Sequence, residues 1–249
     1  MKQILLIIFI VFSINTSIFS QGSIDVESIV DMGNDLIKLN DYNAALEKFN
    51  DALNSLPGYS PAIDGKANVY LLLEDVKEAG KIVEDGIKKN PDFAPFYLTR
   101  GKVYIIKGRF EDAIDDLNRA LDLNSQKNDK EFENMVYVNR GAAYQKLFEN
   151  EKALQDYSKA IEMNPDNPNV YMYRGVLYYQ NNEFNEAILD FNKTLEIDEQ
   201  NHFAYYNRGM AYLKLDDNDK SCRDFHKACE LGNTNACKMV VSRCLNLKK

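Results

Sequence analysis

The stretch Tyr137-Val138-Asn139-Arg140-Gly141-Ala142-Ala143-Tyr144 recurs in nearly the same form as Tyr205-Tyr206-Asn207-Arg208-Gly209-Met210-Ala211-Tyr212. The glycine in each stretch belongs to a longer series of small residues, which are Gly33, Ala67, Gly101, Gly141, Gly175 and Gly209. The spacings in this series are 34, 34, 40, 34 and 34 residues, so the chain carries an internal repeat with a period of 34.

One unit of this repeat contains two apolar faces, each at helical spacing. The residues of the two faces, at i, i+4 and i+7, are Tyr97, Gly101 and Tyr104, and then Ala113, Leu117 and Ala120. Gly108 lies between them, where a glycine is typical of a helix end. Small residues allow two antiparallel helices to approach closely. A single helix pair cannot bury its apolar faces alone, so we expect successive pairs to stack.

The pattern resembles the tetratricopeptide repeat (TPR) family over about residues 26–235. The resemblance implies an all-α fold, a right-handed superhelical solenoid of antiparallel helix pairs over 21–249. The six expected units are about 26–59, 60–93, 94–127, 134–167, 168–201 and 202–235. Residues 236–249 resemble the terminal capping helix that such an array requires.

Two places depart from the regular pattern. Six extra residues lie somewhere in Asn124–Glu133, and we expect a longer helix end or a loop there rather than a functional lid. Gly86 in the second unit stands where alanine is usual. Glycine in a helix interior costs about 1 kcal/mol, so this unit is expected to be helical but the weakest.

The N-terminus has the pattern of a secretory signal peptide, residues 1–20. Lys2 is followed by nine apolar residues from Ile4 to Phe12, and then by polar residues up to Ser20. The alternative is an uncleaved membrane anchor, but the apolar run is shorter than the roughly 20 residues that span a bilayer. We therefore expect an exported bacterial protein, periplasmic or secreted, with no integral membrane segment after cleavage.

Composition and missing motifs argue against several functions. The chain has 30 basic and 38 acidic residues, a net charge of −8, which disfavours a nucleic-acid partner. It lacks His-Glu-x-x-His, Gly-x-Ser-x-Gly, P-loop and Cys-x-x-Cys motifs. Its two histidines, His202 and His226, have no nearby set of metal ligands. We predict no enzyme activity, no metal and no cofactor.

One charge pattern repeats with the units. Four arginines each precede the small residue of a unit, and an aspartate follows each arginine after sixteen residues. The pairs are Arg100 with Asp116, Arg140 with Asp156, Arg174 with Asp190, and Arg208 with Asp224. We expect structural ion pairs, because an arginine fork can hold a carboxylate in bidentate fashion. The alternative is a set of anion-binding arginines.

The TPR resemblance implies that the first helix of each pair lines a concave groove that binds partners. Carried over by register, the lining residues are Leu98, Lys102, Ile105, Val138, Gln145, Met172, Val176, Tyr179, Tyr206, Met210 and Leu213. One branch of the family grips a peptide carboxylate with a Lys that is followed four residues later by an Asn. That pair is absent here, because the two positions hold Leu98/Lys102, Val138/Ala142, Met172/Val176 and Tyr206/Met210. What remains is an apolar strip, suited to a docking peptide. The alternative is that several of these residues pack against the next unit.

The four cysteines, Cys222, Cys229, Cys237 and Cys244, are spaced symmetrically about Asn233. Seven residues are about two helical turns, so each helix of the terminal hairpin carries two cysteines on one face. Pairing Cys222 with Cys229 would need Cα atoms about 10 Å apart to bridge, which exceeds the usual limit of about 7 Å. Only Cys229 with Cys237 and Cys222 with Cys244 join level positions, so we expect these two disulfides. Buried free thiols and a metal site are the alternatives.

The stretch Lys227-Ala228-Cys229-Glu230-Leu231-Gly232, together with Cys237, also resembles the cysteine-rich Sel1-like repeats of exported bacterial proteins. In that family a cysteine pair eight residues apart bridges a helix hairpin. The predicted signal peptide would supply the oxidising compartment that disulfides require.

These observations favour a non-catalytic exported scaffold that binds a protein or peptide segment in its concave groove. The alternatives are a structural subunit of an envelope assembly that self-associates, and an enzyme with an unrecognised site. The identity of the partner lies beyond the sequence, because a fold does not imply a function.

Overall fold

The computed structural model describes residues 26–125, 127 and 129–244, and this part of the chain contains helices and no strands. The all-α fold class is confirmed. The predicted signal peptide lies outside the described residues, and so do residues 245–249 of the predicted capping helix. The chain divides into two compact units, Met1–Leu123 and Asn124–Lys249, which are described separately below.

The described residues of unit 1, from 26 onwards, form six helices in consecutive pairs. They are α1 (26–38), α2 (Tyr42–Ser55), α3 (Ser60–Leu72), α4 (Val76–Lys89), α5 (Ala94–Ile106) and α6 (Phe110–Asn124). Helices α2 to α5 each pack on the next along the chain, and α3 also contacts α5. Helix α1 packs on α2 through Val26, Val30, Ala45 and Phe49.

Unit 2 repeats this arrangement and adds a terminal segment. Its helices are α7 (Lys130–Lys146), α8 (Asn150–Met163), α9 (Pro168–Gln180), α10 (Phe184–Ile197), α11 (His202–Lys214), α12 (Asn218–Glu230) and α13 (Thr234–Met239), followed by a π-helical turn, Val240–Cys244. We call α7, α9 and α11 the first helices, and α8, α10 and α12 the second helices. Helix α9 contacts both α7 and α11, so the first helices lie side by side.

The small residue of each repeat makes room for an apolar side chain from the second helix. A Cβ atom placed on Gly141 would lie 2.9 Å from Cε1 of Tyr157, and one on Gly175 would lie 2.8 Å from Cε1 of Phe191. Both ring side chains are fully buried. The 34-residue period therefore reflects a close helix contact within each pair.

The turn within each pair contains a residue in the left-handed backbone region. Gly108 has a φ of 72°, as its predicted role as a helix end requires. The equivalent residues elsewhere are not glycine: they are Asn40, Glu74, Phe148, Asn182 and Asp216, with φ between 58° and 66°. The side chain of Phe148 is 88% exposed in this turn. A search for glycine alone finds only one of these six turns.

The six extra residues before the fourth unit mainly lengthen a helix. Helix α7 has 17 residues, whereas α5, α9 and α11 have 13. The added turn begins after Asp129, whose side chain accepts a hydrogen bond from the Phe132 amide. The capping helix also differs from the prediction: it begins at Thr234 rather than at residue 236, and its geometry becomes π-helical at Val240.

Candidate functional site

The predicted groove residues of unit 2 are partly buried on the first helices. Val138 packs against the cluster around Tyr157, Val170 and Leu177. Tyr206, Met210 and Leu213 pack against the cluster of Phe225 and Cys244, together with Met239 and Val240 of the terminal segment. These four residues therefore contact apolar clusters of the core.

The remaining predicted residues of unit 2 lie between the core and the surface. Tyr179 is partly buried and makes an edge contact with the Phe184 ring. Gln145 accepts a hydrogen bond from the Tyr157 hydroxyl and donates one to Gln180, at 3.0 Å in each case. Met172 and Val176 are also partly buried.

The most exposed apolar residues of the first helices lie outside the predicted set. They form what we call the apolar row: Met135 on α7, Tyr173 on α9 and Phe203 on α11, which are 41%, 44% and 58% exposed. A second exposed set, the lysine row, occupies one register position near the C-terminal end of each first helix: Lys146, Gln180 and Lys214.

The two rows lie on the same face of each helix. On α11, Phe203, Asn207, Met210 and Lys214 follow the spacing i, i+4, i+7 and i+11, which keeps residues on one side of a helix. Met210 also belongs to the predicted set, and the other predicted residues of α11, Tyr206 and Leu213, lie to one side of this face. On α7 and α11, an apolar residue eleven positions before a lysine was the signal available in the sequence.

In unit 1, helices α3 and α5 carry a cluster of polar side chains. The buried Thr99 hydroxyl donates a 2.7 Å hydrogen bond to Asp64 Oδ1, and Asn68 Nδ2 donates to Asp64 Oδ2 at 2.9 Å. Lys102 Nζ donates to Asn68 Oδ1 at 3.3 Å. Leu98, a predicted groove residue, is buried, and Ile105 is partly buried.

Burial dominates the electrostatics of this cluster. Desolvation raises the pKa of Asp64, against the opposing effects of the Thr99 hydrogen bond and the Lys102 charge. Desolvation likewise lowers the pKa of Lys102, and the Asp64 charge opposes that shift. The predicted groove residue Lys102 thus belongs to a network that joins α3 to α5.

The four arginine–aspartate pairs meet across their helix pairs. Each arginine donates from Nε and Nη2 to the two carboxylate oxygens, at 2.6 to 2.8 Å. The four aspartates, Asp116, Asp156, Asp190 and Asp224, are buried.

In two of the pairs, the arginine also donates a hydrogen bond from Nη1 to a side chain of the preceding repeat. These contacts were not predicted from the sequence. Arg174 Nη1 donates to Ser158 Oγ at 3.0 Å, and Arg208 Nη1 donates to Asn192 Oδ1 at 2.6 Å. These acceptors lie sixteen residues before the arginine, so the spacing that marks the aspartates also marks them. The forks connect helices and repeats, which leaves little of the guanidinium for a ligand.

The cysteines lie in the two predicted pairs. The Sγ atoms of Cys222 and Cys244 are 2.01 Å apart, and those of Cys229 and Cys237 are 1.98 Å apart. The corresponding Cα atoms are separated by 5.5 and 4.8 Å. Both pairs attach the terminal segment to α12.

Two other features are absent from the described residues, namely a cluster of metal ligands and a membrane-spanning helix. No group of three or more His, Cys, Asp or Glu side chains in this part of the chain is placed to hold a metal ion. Within the same residues, every helix is too short or too polar to cross a membrane. His202 lies with Nδ1 3.3 Å from Asn233 Nδ2, at the N-terminus of α11.

Models of known protein families match much of this region. A tetratricopeptide repeat model matches residues 94–127 and 204–235, and a second model, described as TPR repeat, matches residues 149–182 and 175–216. A DnaJ homolog subfamily C member 7 homolog from Schizosaccharomyces pombe is 30% identical over 110 residues, which are 41% of this chain and 23% of that protein. The chain spans about a quarter or less of the length of the curated relatives it matches.

Solved structures share the arrangement of consecutive helix pairs. The pilF protein of Pseudomonas aeruginosa gives a TM-score of 0.73 at 16% identity, covering 87% of this chain and 96% of that one. YrrB, described as a TPR protein with an unusual peptide-binding site, gives 0.59 at 20% identity, covering 78% and 97%. At these identities the likeness shows the fold. The tetratricopeptide repeat models thus match residues 94–127 and 149–235, a little under half of this chain.

Proposed function

We propose that the chain is a non-catalytic, exported scaffold that binds a protein or peptide segment on the first helices of unit 2. The observation that carries this proposal is the apolar row, in which Met135, Tyr173 and Phe203 stand exposed on three adjacent helices. Large exposed apolar side chains that lie together are typical of interaction surfaces. The peptide-binding site named for YrrB, a structural neighbour, supports the same function.

A non-catalytic role is supported by the structural contacts of the charged side chains, which are engaged in ion pairs and hydrogen bonds within the fold. The four arginines, which were the candidates for anion chemistry, are held by buried aspartates. Asp64 and Lys102 are held in the polar cluster. These side chains serve the packing of helices.

Export is supported by the cysteine pairs, because disulfides persist in oxidising compartments such as the periplasm or the cell exterior. The resemblance of the terminal hairpin to Sel1-like repeats points to the same compartments. Mass spectrometry of the non-reduced protein checks this part of the proposal. Two disulfides lower the mass by four hydrogens, whereas four free thiols in protein recovered from its native location would contradict them.

Site-specific photocrosslinking tests the binding surface. The photoreactive residue p-benzoylphenylalanine is placed at Tyr173 in the apolar row, or at Leu189 on α10 as a control that is 68% exposed. We expect a discrete crosslinked partner from position 173 that is absent from position 189. Equal products from both positions, or none from 173, would contradict the proposal. A product that proves to be a second copy of the chain would instead favour the self-associating assembly.

A further inference from the structure

The lysines on the second helices of unit 2 differ from the two lysines of the lysine row. Every lysine on the second helices forms an ion pair with a carboxylate three residues away: the pairs are Lys152 with Glu149, Lys159 with Glu162, Lys193 with Glu196, Lys220 with Asp217, and Lys227 with Glu230. Lys146 and Lys214 of the lysine row are exposed, and neither forms an ion pair among the described residues: the carboxylates three residues after them, Glu149 and Asp217, pair instead with Lys152 and Lys220.

The acidic residues show the opposite distribution. Helices α9 and α11 contain no Asp or Glu, and the acidic residues of α7, Glu131 and Glu133, lie in its first turn. The chain as a whole has a net charge of −8. The lysine row therefore places two positive charges on an otherwise acidic protein, and these charges can attract a negatively charged segment.

The dimensions of the two rows suit an extended chain that crosses the helices. Tyr173 and Gln180 are seven residues apart on α9, about 10 Å along a helix, whereas Met135 and Lys146, like Phe203 and Lys214, are eleven residues apart, about 16 Å. The flexible four-carbon stem of each lysine can reach back over this larger gap. The side chains of an extended segment project alternately to opposite sides, so one edge can meet the apolar row while the other meets the lysine row. Lys146 and Lys214 lie two helices apart, about 20 Å, which an extended segment of about six residues covers.

From this geometry we propose that the first helices of unit 2 bind an extended segment in which apolar residues alternate with acidic residues. The proposal rests on the function proposed above and adds the chemistry of the partner. The apolar side chains of the segment contact Met135, Tyr173 and Phe203. Its carboxylates contact Lys146 and Lys214, with Gln180 between them.

Fluorescence anisotropy with synthetic peptides tests this inference on the purified protein. The probe is a terminally blocked, fluorescein-labelled nonapeptide in which Leu alternates with Glu. Two comparison peptides carry Lys in place of Glu, or the same residues in two blocks. We expect saturable binding of the alternating Leu–Glu peptide, weakened by salt, and affinities at least about tenfold lower for both comparison peptides.

A matched pair of protein variants assigns the binding to the lysine row. Lys146→Glu with Lys214→Glu reverses the row, and Lys159→Glu with Lys193→Glu makes the same change in net charge on the second helices. We expect the first pair to lower the affinity about tenfold or more, and the second to change it less than about twofold.

Three results would overturn the inference: no binding of the Leu–Glu peptide, equal binding of the Lys peptide, or the same loss in both variant pairs. If the Leu–Glu peptide fails while crosslinking at Tyr173 still yields a partner, the proposed function stands and the proposed partner chemistry is wrong. If crosslinking fails as well, both are wrong.

Discussion

Among single residues, Gly86 shows how a helix position can be unfavourable for the helix and favourable for the fold. A Cβ atom on Gly86 would lie 2.7 Å from Cζ of Phe96, which is fully buried. The Phe96 ring is also held by an edge contact with Phe93, at a centroid distance of 4.8 Å. The glycine that the sequence marks as a weakness is therefore the space into which Phe96 packs.

We predict that Gly86→Ala destabilises the protein by about 1 kcal/mol. Alanine gains about 1 kcal/mol in helix propensity, but forcing a methyl group against a packed ring costs about 1–3 kcal/mol. Urea unfolding followed by circular dichroism measures the difference. In a Phe96→Leu background, where the ring is absent, the same substitution should be neutral or stabilising. A higher unfolding midpoint for Gly86→Ala alone would contradict the packing argument.

The partly buried carboxyl of Asp64 should make stability depend on pH. Burial raises the pKa of Asp64, so the folded state binds this proton more tightly than the unfolded state does. Ionised Asp64 therefore destabilises the fold at neutral pH, and the effect disappears as the pH falls through the raised pKa towards the ordinary value near 4. Asp64→Asn removes the ionisation while keeping an oxygen that accepts hydrogen bonds.

We expect Asp64→Asn to be more stable than the natural chain at pH 7, and this advantage to shrink as the pH falls to about 4. Urea unfolding at several pH values measures the difference. Asp115→Asn on the exposed side of α6 controls for the loss of one negative charge. The electrostatic account fails if Asp64→Asn is less stable than the natural chain at pH 7.

Between elements, the arginine forks determine how the helices of a pair are held. Arg174 joins α9 to α10 through Asp190, and it joins α9 to α8 through Ser158. One side chain thus spans three helices, and its carboxylate partner is buried. This arrangement gives the fork a structural effect that an exposed ion pair does not have.

We predict that Arg174→Met destabilises the protein by about 3 kcal/mol, because it leaves the buried Asp190 carboxylate without a partner. The double variant Arg174→Met with Asp190→Leu should recover most of this loss, since it also removes the buried charge. Thermal unfolding of the two variants measures both effects. A single variant that unfolds at the natural temperature would show that the fork contributes little.

The structure also shows which properties of the elements were predictable. The spacing of Gly141 and Gly175, with apolar residues at helical intervals, predicted the helix pairs because close packing requires small residues at fixed positions. The left-handed turns were mostly missed because Asn182 and Asp216 adopt this conformation without glycine. The π-helical end of the terminal segment has no periodic signal at all.

For the molecule as a whole, the sequence does not reveal which face of each first helix is covered by neighbouring helices. Periodicity shows that Val138 and Tyr206 share a register, but both pack against neighbouring apolar clusters. The exposed residues Met135 and Phe203 became visible only once these contacts were known. The lysine row was missed for a related reason. Its lysines differ from those of the second helices because they form no ion pairs, and ion pairs are seen only in the structure.

The forks have a consequence for how such a chain can change its length. Ser158 and Asn192 occupy the same place relative to the arginine that follows each of them. If recombination removed residues 168–201, Arg208 would lie sixteen residues after Ser158, the separation that Arg174 has now. After this deletion, the Ser158 hydroxyl would stand at the position of the hydrogen-bond acceptor for Arg208. After a duplication of the same residues, the Asn192 amide would stand at that position for the arginine of the second copy. The gene can therefore gain or lose a whole repeat while each new junction keeps its hydrogen bond.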